Sequence, residues 1–354
     1  MLIRDLRSLL CALAFAPSVL PLQGCAFTRE ETITVRPDGG VNLHSEFSGN
    51  RELMAGRTAD AIPDPTAPDI WRVTESAEGA SFRRIAELDA PPGALLPSSY
   101  APAGDPRVDS GVRFPTTLKI ETHDGRTVFD FKRVYLRRDD AAYVHFQKQL
   151  ESTETSKALR AVAPKDLTDE DRLILARDYG RIEASKFIAM AEAAAVYVQD
   201  DPRWTQELDL RLRRVILDFA EHFDYRPAAK LLGASQSPDD KNSAAILAAA
   251  RSFKDGIAGA IAEKVRSFNI LPQTANRFLD NLNAERRRRQ TTEDLMLDVW
   301  EVRVIMPGKL IEHNADRTEL IGNDLALVWR FSSSAIMDRD QRIMASSWIP
   351  AVSK

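Results

Sequence analysis

The sequence predicts an α+β fold: an antiparallel sheet made from N- and C-terminal strands, with a long helical insertion between them. Two observations carry this. Apolar and polar residues alternate near the N-terminus and again after Leu297, as in a half-buried strand, while residues 140–290 carry apolar stripes at helical spacing. The N-terminal strands make only two hairpins, which are not stable alone and so need the C-terminal strands or the helices as partners. The chain has 354 residues, 44% hydrophobic and 28% charged, which suffices for a sizeable core and excludes a disordered chain.

The first hairpin spans residues 32–47. Ile33 and Val35 alternate with Thr32, Thr34 and Arg36; Val41, Leu43 and Phe47 alternate with Asn42, His44 and Glu46. Pro37-Asp38-Gly39-Gly40 joins them, Pro presetting φ and Gly supplying a positive one. Residues 48–111 are rich in Pro and Gly and read as loops, with Ile70-Trp71-Arg72-Val73 as a short strand. A second hairpin over 115–138 turns at Asp124-Gly125.

Helices follow. Thr168-Asp169-Glu170-Asp171 resembles a capping box with Asp in place of Glu. Asp201-Pro202 predicts a second start and Ser237-Pro238-Asp239-Asp240 a third. A fourth helix follows Pro272 and is expected to end near Arg286–Arg289. Strands resume with Trp300, Val302 and Val304, then Lys309–Glu312, Leu325–Phe331 and Ile343–Ile349. The domain reading is a leader over 1–24, a short linker over 25–31, a β-rich part over 32–139, the insertion over 140–292, and closing strands over 293–354.

The first 25 residues carry an address. Arg4 and Arg7 precede an apolar run, Ser8–Leu22, broken by Pro17 and Pro21 and too short to span a bilayer, as in a signal peptide. Leu22-Gln23-Gly24-Cys25 resembles the lipobox of bacterial lipoproteins, with Gln23 where a small or aliphatic residue is usual. The resemblance implies that Cys25 becomes the mature N-terminus and carries a diacylglyceryl thioether, usually with an added N-acyl chain. Two or three such chains hold firmly, at about 0.8 kcal/mol per buried methylene. Ala26, rather than Asp, resembles the pattern sent to the outer membrane in diderm bacteria, facing the periplasm. Loss of the leader also removes Cys11, which leaves Cys25 alone and excludes an internal disulfide and a cysteine zinc site.

Formal net charge is −4, and removal of Arg4, Asp5 and Arg7 takes it to −5. An acidic chain gives no support for nucleic-acid binding. No Gly-x-Ser-x-Gly and no phosphate-cradling Gly-rich loop occurs, and the five histidines are scattered. Gly256 and Gly259 read as close helix packing. The most interesting polar cluster is His313-Asn314-Ala315-Asp316 with Asp338-Arg339-Asp340. Asp316, Asp338 and Asp340 would suit calcium, with His313 as a base; the competing reading is turn chemistry. Arg286, Arg287, Arg288 and Arg289 would meet lipid phosphates or a partner, or else end a helix. Phe129, Phe131, Trp300, Trp329 and Phe331 are expected in the core, with an apolar lipid cavity as the other reading.

The segment Met306-Pro307-Gly308, His313–Asp316 and Leu327-Val328-Trp329-Arg330-Phe331 resembles the end of bacterial lipoprotein domains of the LppM type. There a Pro-Gly bend, an Asn-rich turn and a Trp strand close a curved sheet. The likeness covers about 50 residues, leaves the helical insertion unexplained, and implies a sheet-based, lipid-binding domain at the envelope. The expectation is a non-catalytic, membrane-anchored lipoprotein without a cofactor, binding an amphiphile or a protein partner. A metal-assisted hydrolase built on His313, Asp316, Asp338 and Asp340, or an assembly scaffold, are the alternatives.

Overall fold

The computed structural model describes residues 28–50, 71–78, 81–101, 111–138, 154–162, 166–234, 241–295, 298–333 and 335–351. Cys25, the leader, the loop at 62–68 and the predicted helix start at 237–240 lie outside them. Residues 25–139 with 287–354 make one compact unit, and residues 140–286 make another.

Among the described residues the first unit holds all eleven strands: β1 (Thr28–Val35), β2 (Val41–Asn50), β3 (Arg72–Glu78), β4 (Ser81–Ala90), β5 (Thr116–His123), β6 (Arg126–Tyr135), β7 (Val299–Ile305), β8 (Lys309–His313), β9 (Arg317–Ile321), β10 (Asp324–Ser332) and β11 (Gln341–Pro350). The α+β class and the insertion between N- and C-terminal strands are as expected. The single sheet is not: there are two, of order β3-β4-β2-β1-β7-β10-β9 and β5-β6-β11-β8. Strands from both chain ends meet in each. In the larger sheet the seam is β1 against β7, and it is parallel, with Ile33 beside Val304. A parallel seam needs a long crossover, and the helical insertion lies within the chain that makes it.

Both hairpins form. Gly39 takes φ +89° in the first turn, and Asp124 and Gly125 take +50° and +72° in the second. Alternation puts Ile33, Val35, Leu43, Phe47, Trp300, Val302, Val304 and Trp329 inward from the larger sheet. Phe129, Phe131, Tyr135, Ile343 and Ala345 come inward from the smaller, closing one core. Burying each large side chain contributes about 1.5–3 kcal/mol. β1 starts four residues before the predicted Thr32. β4 was not expected, because Arg83, Arg84, Glu87 and Asp89 hide its inward Phe82, Ala86 and Ala90.

The helices are α1 (Glu154–Ala161), α2 (Asp169–Ala195), α3 (Gln206–His222), α4 (Arg226–Ala234), α5 (Lys241–Arg266) and α6 (Pro272–Leu295), followed by the helical turn α7 (Ala335–Asp338). The capping box of α2 is present: Thr168 Oγ accepts from the Asp171 N–H, and the Asp171 carboxylate accepts from the Thr168 N–H at 2.9 Å. The second start is corrected. Asp201 accepts from the Arg203 N–H at 2.9 Å and from the Thr274 hydroxyl at 2.5 Å, so Asp201–Trp204 is a turn and α3 begins at Gln206. Apolar faces of α2 to α6 share a second core around Phe187, Ile216, Phe253, Ile257 and Phe278. Gly256 does mark close packing: an added Cβ would lie 2.3 Å from Phe219, whereas Gly259 faces open space.

Candidate functional site

His313, Asn314, Asp316 and Asp340 of the predicted polar cluster bond chiefly to backbone groups, one within a local turn and the others in segments distant along the chain. The Asp316 carboxylate accepts from the Arg330 N–H at 2.7 Å, and Asp340 accepts from the Arg137 N–H at 2.8 Å. His313 Nδ1 accepts from the Ala315 N–H at 3.2 Å. Asn314 ties three segments: its Oδ1 accepts from Trp329 Nε1 at 3.0 Å and the Met344 N–H at 2.9 Å, and its amide donates to the Arg342 carbonyl at 2.8 Å. Asp338 ends α7, and its side chain is outside the described set. Among the described residues no group of three or more potential metal ligands converges.

The arginine run lies within α6, not at its end, because neither Gly nor Pro stands between Arg286 and Leu295. In the helical unit, Arg286 meets Asp255 at 3.0 Å and lies 5.6 Å over the Phe187 ring. In the sheet unit, Arg289 is buried, Arg287 and Arg288 are partly so, and the Arg288 carbonyl accepts from Arg138 at 2.9 Å. The strand aromatics contact one another: Trp300 stacks on Phe331 at 5.9 Å and meets Tyr135 edge-on at 5.1 Å.

A polar knot in the sheet core was missed from the sequence. Stepping back by two from Ile33 puts Glu31 and Arg29 on the same inward face, and both are buried. Glu31 accepts hydrogen bonds from the Tyr100 and Tyr135 hydroxyls, the second at 2.6 Å, and pairs with Arg133 at 3.0 Å. Arg29 Nε donates to Asp298 at 2.7 Å, and its guanidinium lies 4.9 Å over both Phe47 and Trp300. Burial pushes both phenols well above their usual range, with the Glu31 charge adding to it. Burial alone would lower Arg133; Glu31 and the two tyrosines outweigh it and hold its pKa raised. This knot joins the two sheets and the Tyr100 loop.

Among the described residues, one concave candidate is a groove of about 330 Å³ between α2 and α3, near the small end of ligand pockets. Ile188, Ala191 and Ala195 line it from α2, and Leu212 and Ile216 from α3, positions one helical turn apart on facing surfaces. Glu192, Asp209 and Arg213 make it half polar, and Leu210 is exposed at its rim. Burial raises the Asp209 pKa, opposed by the Trp204 indole, which donates to it at 2.9 Å. The lining holds no histidine, cysteine, serine or lysine; its ionisable groups are Glu192, Asp209 and Arg213.

The chain matches no protein-family model and no curated protein. One solved structure that it resembles is the folded domain of LppM from Mycobacterium tuberculosis. The identity is 9%, with 94% of this chain and 95% of that one covered and a TM-score of 0.27.

Proposed function

We propose that this protein is an envelope lipoprotein, held at a membrane by acyl chains on Cys25, that binds an amphipathic ligand without chemical conversion. In a diderm bacterium the membrane is the outer one, facing the periplasm. The α2–α3 groove carries the binding part of this reading: its floor is apolar, and its rim bears Glu192, Asp209 and Arg213. That lining suits a ligand with one apolar and one polar face, either a lipid chain with its head group or an amphipathic segment of a protein.

The anchor is tested by mass spectrometry of the mature N-terminal peptide. Acyl mass on Cys25 is expected, and a Cys25→Ser protein should leave the membrane fraction; an unmodified Cys25 would sink the anchor. For the groove, a fluorescent fatty acid and an amphipathic helical peptide are titrated separately against the protein and an Ala191→Trp variant that fills the floor. Binding of either probe, lost in the variant, supports the reading. Equal binding to both proteins, or none to either, overturns it.

A further inference from the structure

We propose that the end of the larger sheet formed by the start of β1, the end of β2, the end of β3, the start of β4 and the start of β7 faces the bilayer, with the strands pointing away from it. This rests on the acylation of Cys25 proposed above.

Cys25 precedes Thr28 by three residues, so β1 starts within roughly 10 Å of the acylated residue whatever path the chain takes. β1 is the central strand of seven, with three strands on either side. Strands lie about 4.8 Å apart, so each edge of the sheet is about 14 Å from β1, beyond the tether's reach. The sheet therefore does not rest on an edge. Its inner face is covered by the core shared with the smaller sheet.

The outer face is a lattice of ion pairs. Arg303 joins Glu30 and Glu319, Arg317 joins Glu301, Arg83 joins Glu46, Arg72 joins Glu87 and Arg36 joins Asp89. The six carboxylates and five arginines of these pairs give no positive field toward anionic lipid. The strand end remains. There Thr28 pairs with Ser48 and Val299, and Ser81 pairs with Asn50 and Glu78.

The competing surface is the β9–β10 hairpin, where Leu320, Ile321 and Leu325 are exposed. Register places it at the level of Thr34 and Ile305, about 20 Å along β1 from Thr28. An orientation driven by those three side chains would tip the sheet and bring the hairpin to the lipid.

The acylated protein, reconstituted in vesicles carrying a head-group quencher, decides between them. Once Cys25 is acylated, an introduced cysteine is the one thiol to label. Fluorophores go on Ser81→Cys, Glu78→Cys and Leu320→Cys, all exposed positions. Fluorescence loss at 81 and 78 with none at 320 is expected. Equal loss at all three, or greater loss at 320, overturns the orientation while leaving the anchor intact. Vesicle flotation is read in parallel, and a Cys25→Ser protein that still floats would overturn the anchor and the orientation together.

Discussion

Replacing Glu31 by Gln keeps the shape of the side chain and removes its charge. In the native core the carboxylate accepts two phenol hydrogen bonds and faces the Arg133 guanidinium at 3.0 Å, with every group buried. The amide offers one oxygen for these donors and turns its own NH2 toward another of them. The larger loss is electrostatic, because Arg133 keeps a buried charge without this counter-ion. Removing one partner of a buried pair costs about 3–5 kcal/mol. Substituting Arg133→Met as well removes the stranded charge, so the double variant should lose less than Glu31→Gln alone, with a coupling of about 2–3 kcal/mol. Urea unfolding followed by tryptophan fluorescence reads this unit, since Trp71, Trp300, Trp329 and Trp348 lie in it and only Trp204 in the other. A Glu31→Gln protein within about 1 kcal/mol of the parent, or additive single and double losses, would refute the reasoning.

The Tyr100 and Tyr135 hydroxyls are raised on folding, so their stabilisation is complete below the unfolded phenol pKa and is lost as pH climbs beyond it. Stability should fall above about pH 10 by about 1.4 kcal/mol per pH unit for each tyrosine, and Tyr100→Phe with Tyr135→Phe should flatten the profile measured by urea titration. In the helical unit, a Cβ on Gly180 would lie 1.9 Å from the Tyr225 hydroxyl, which itself donates to the Ala220 carbonyl at 2.7 Å. Gly180→Ala should therefore cost about 1–3 kcal/mol despite the better helix former, while Gly259→Ala, facing open space, should gain up to about 1 kcal/mol, both read from Trp204 fluorescence. Asn314→Ala should cost about 1–2 kcal/mol by releasing Trp329, Met344 and Arg342, whereas calcium or a chelator should leave the melting temperature of the parent unchanged.

Legibility of the fold followed the strength of local signals. Turns that demand positive φ, Gly39 and Asp124-Gly125, were readable because few residues adopt that backbone. So was the Thr168 cap, where two reciprocal hydrogen bonds require a set spacing. What failed was decided by partners distant in the chain. Leaving Glu31 and Arg29 out of β1 followed from treating inward as apolar, yet Arg133, Tyr135 and Asp298, more than a hundred residues away, are what allow charge there. Two sheets rather than one follow from which hairpin pairs with β11 and which with β7, a choice that period-two alternation does not encode. Pro202 reads as a first helical residue, and it is overruled because Asp201 finds Thr274 across the unit. The α2–α3 groove had no motif at all, since Ala191 and Ala195 look like ordinary helix formers until a second helix faces them.

The buried knot and the membrane tether bear on the same strand, and this yields a test that joins them. Arg29 and Glu31 fall within the first four residues of β1, the part nearest Cys25. Terminal strand residues fray unless something holds them. Each residue freed from the sheet lengthens the tether by about 3.3 Å, so releasing Thr28–Glu31 would extend it from three residues to seven, roughly 23 Å. At that length the edges of the sheet, about 14 Å from β1, come within reach of the bilayer and the strand end is no longer the one surface available. Glu31→Gln, under conditions where the sheet remains folded by tryptophan fluorescence, should therefore shrink the quenching contrast between positions 81 and 320 while flotation persists. If the contrast stays whole in a variant shown to be destabilised, the knot holds the two sheets together without setting the tether, and the orientation must come from elsewhere on the unit.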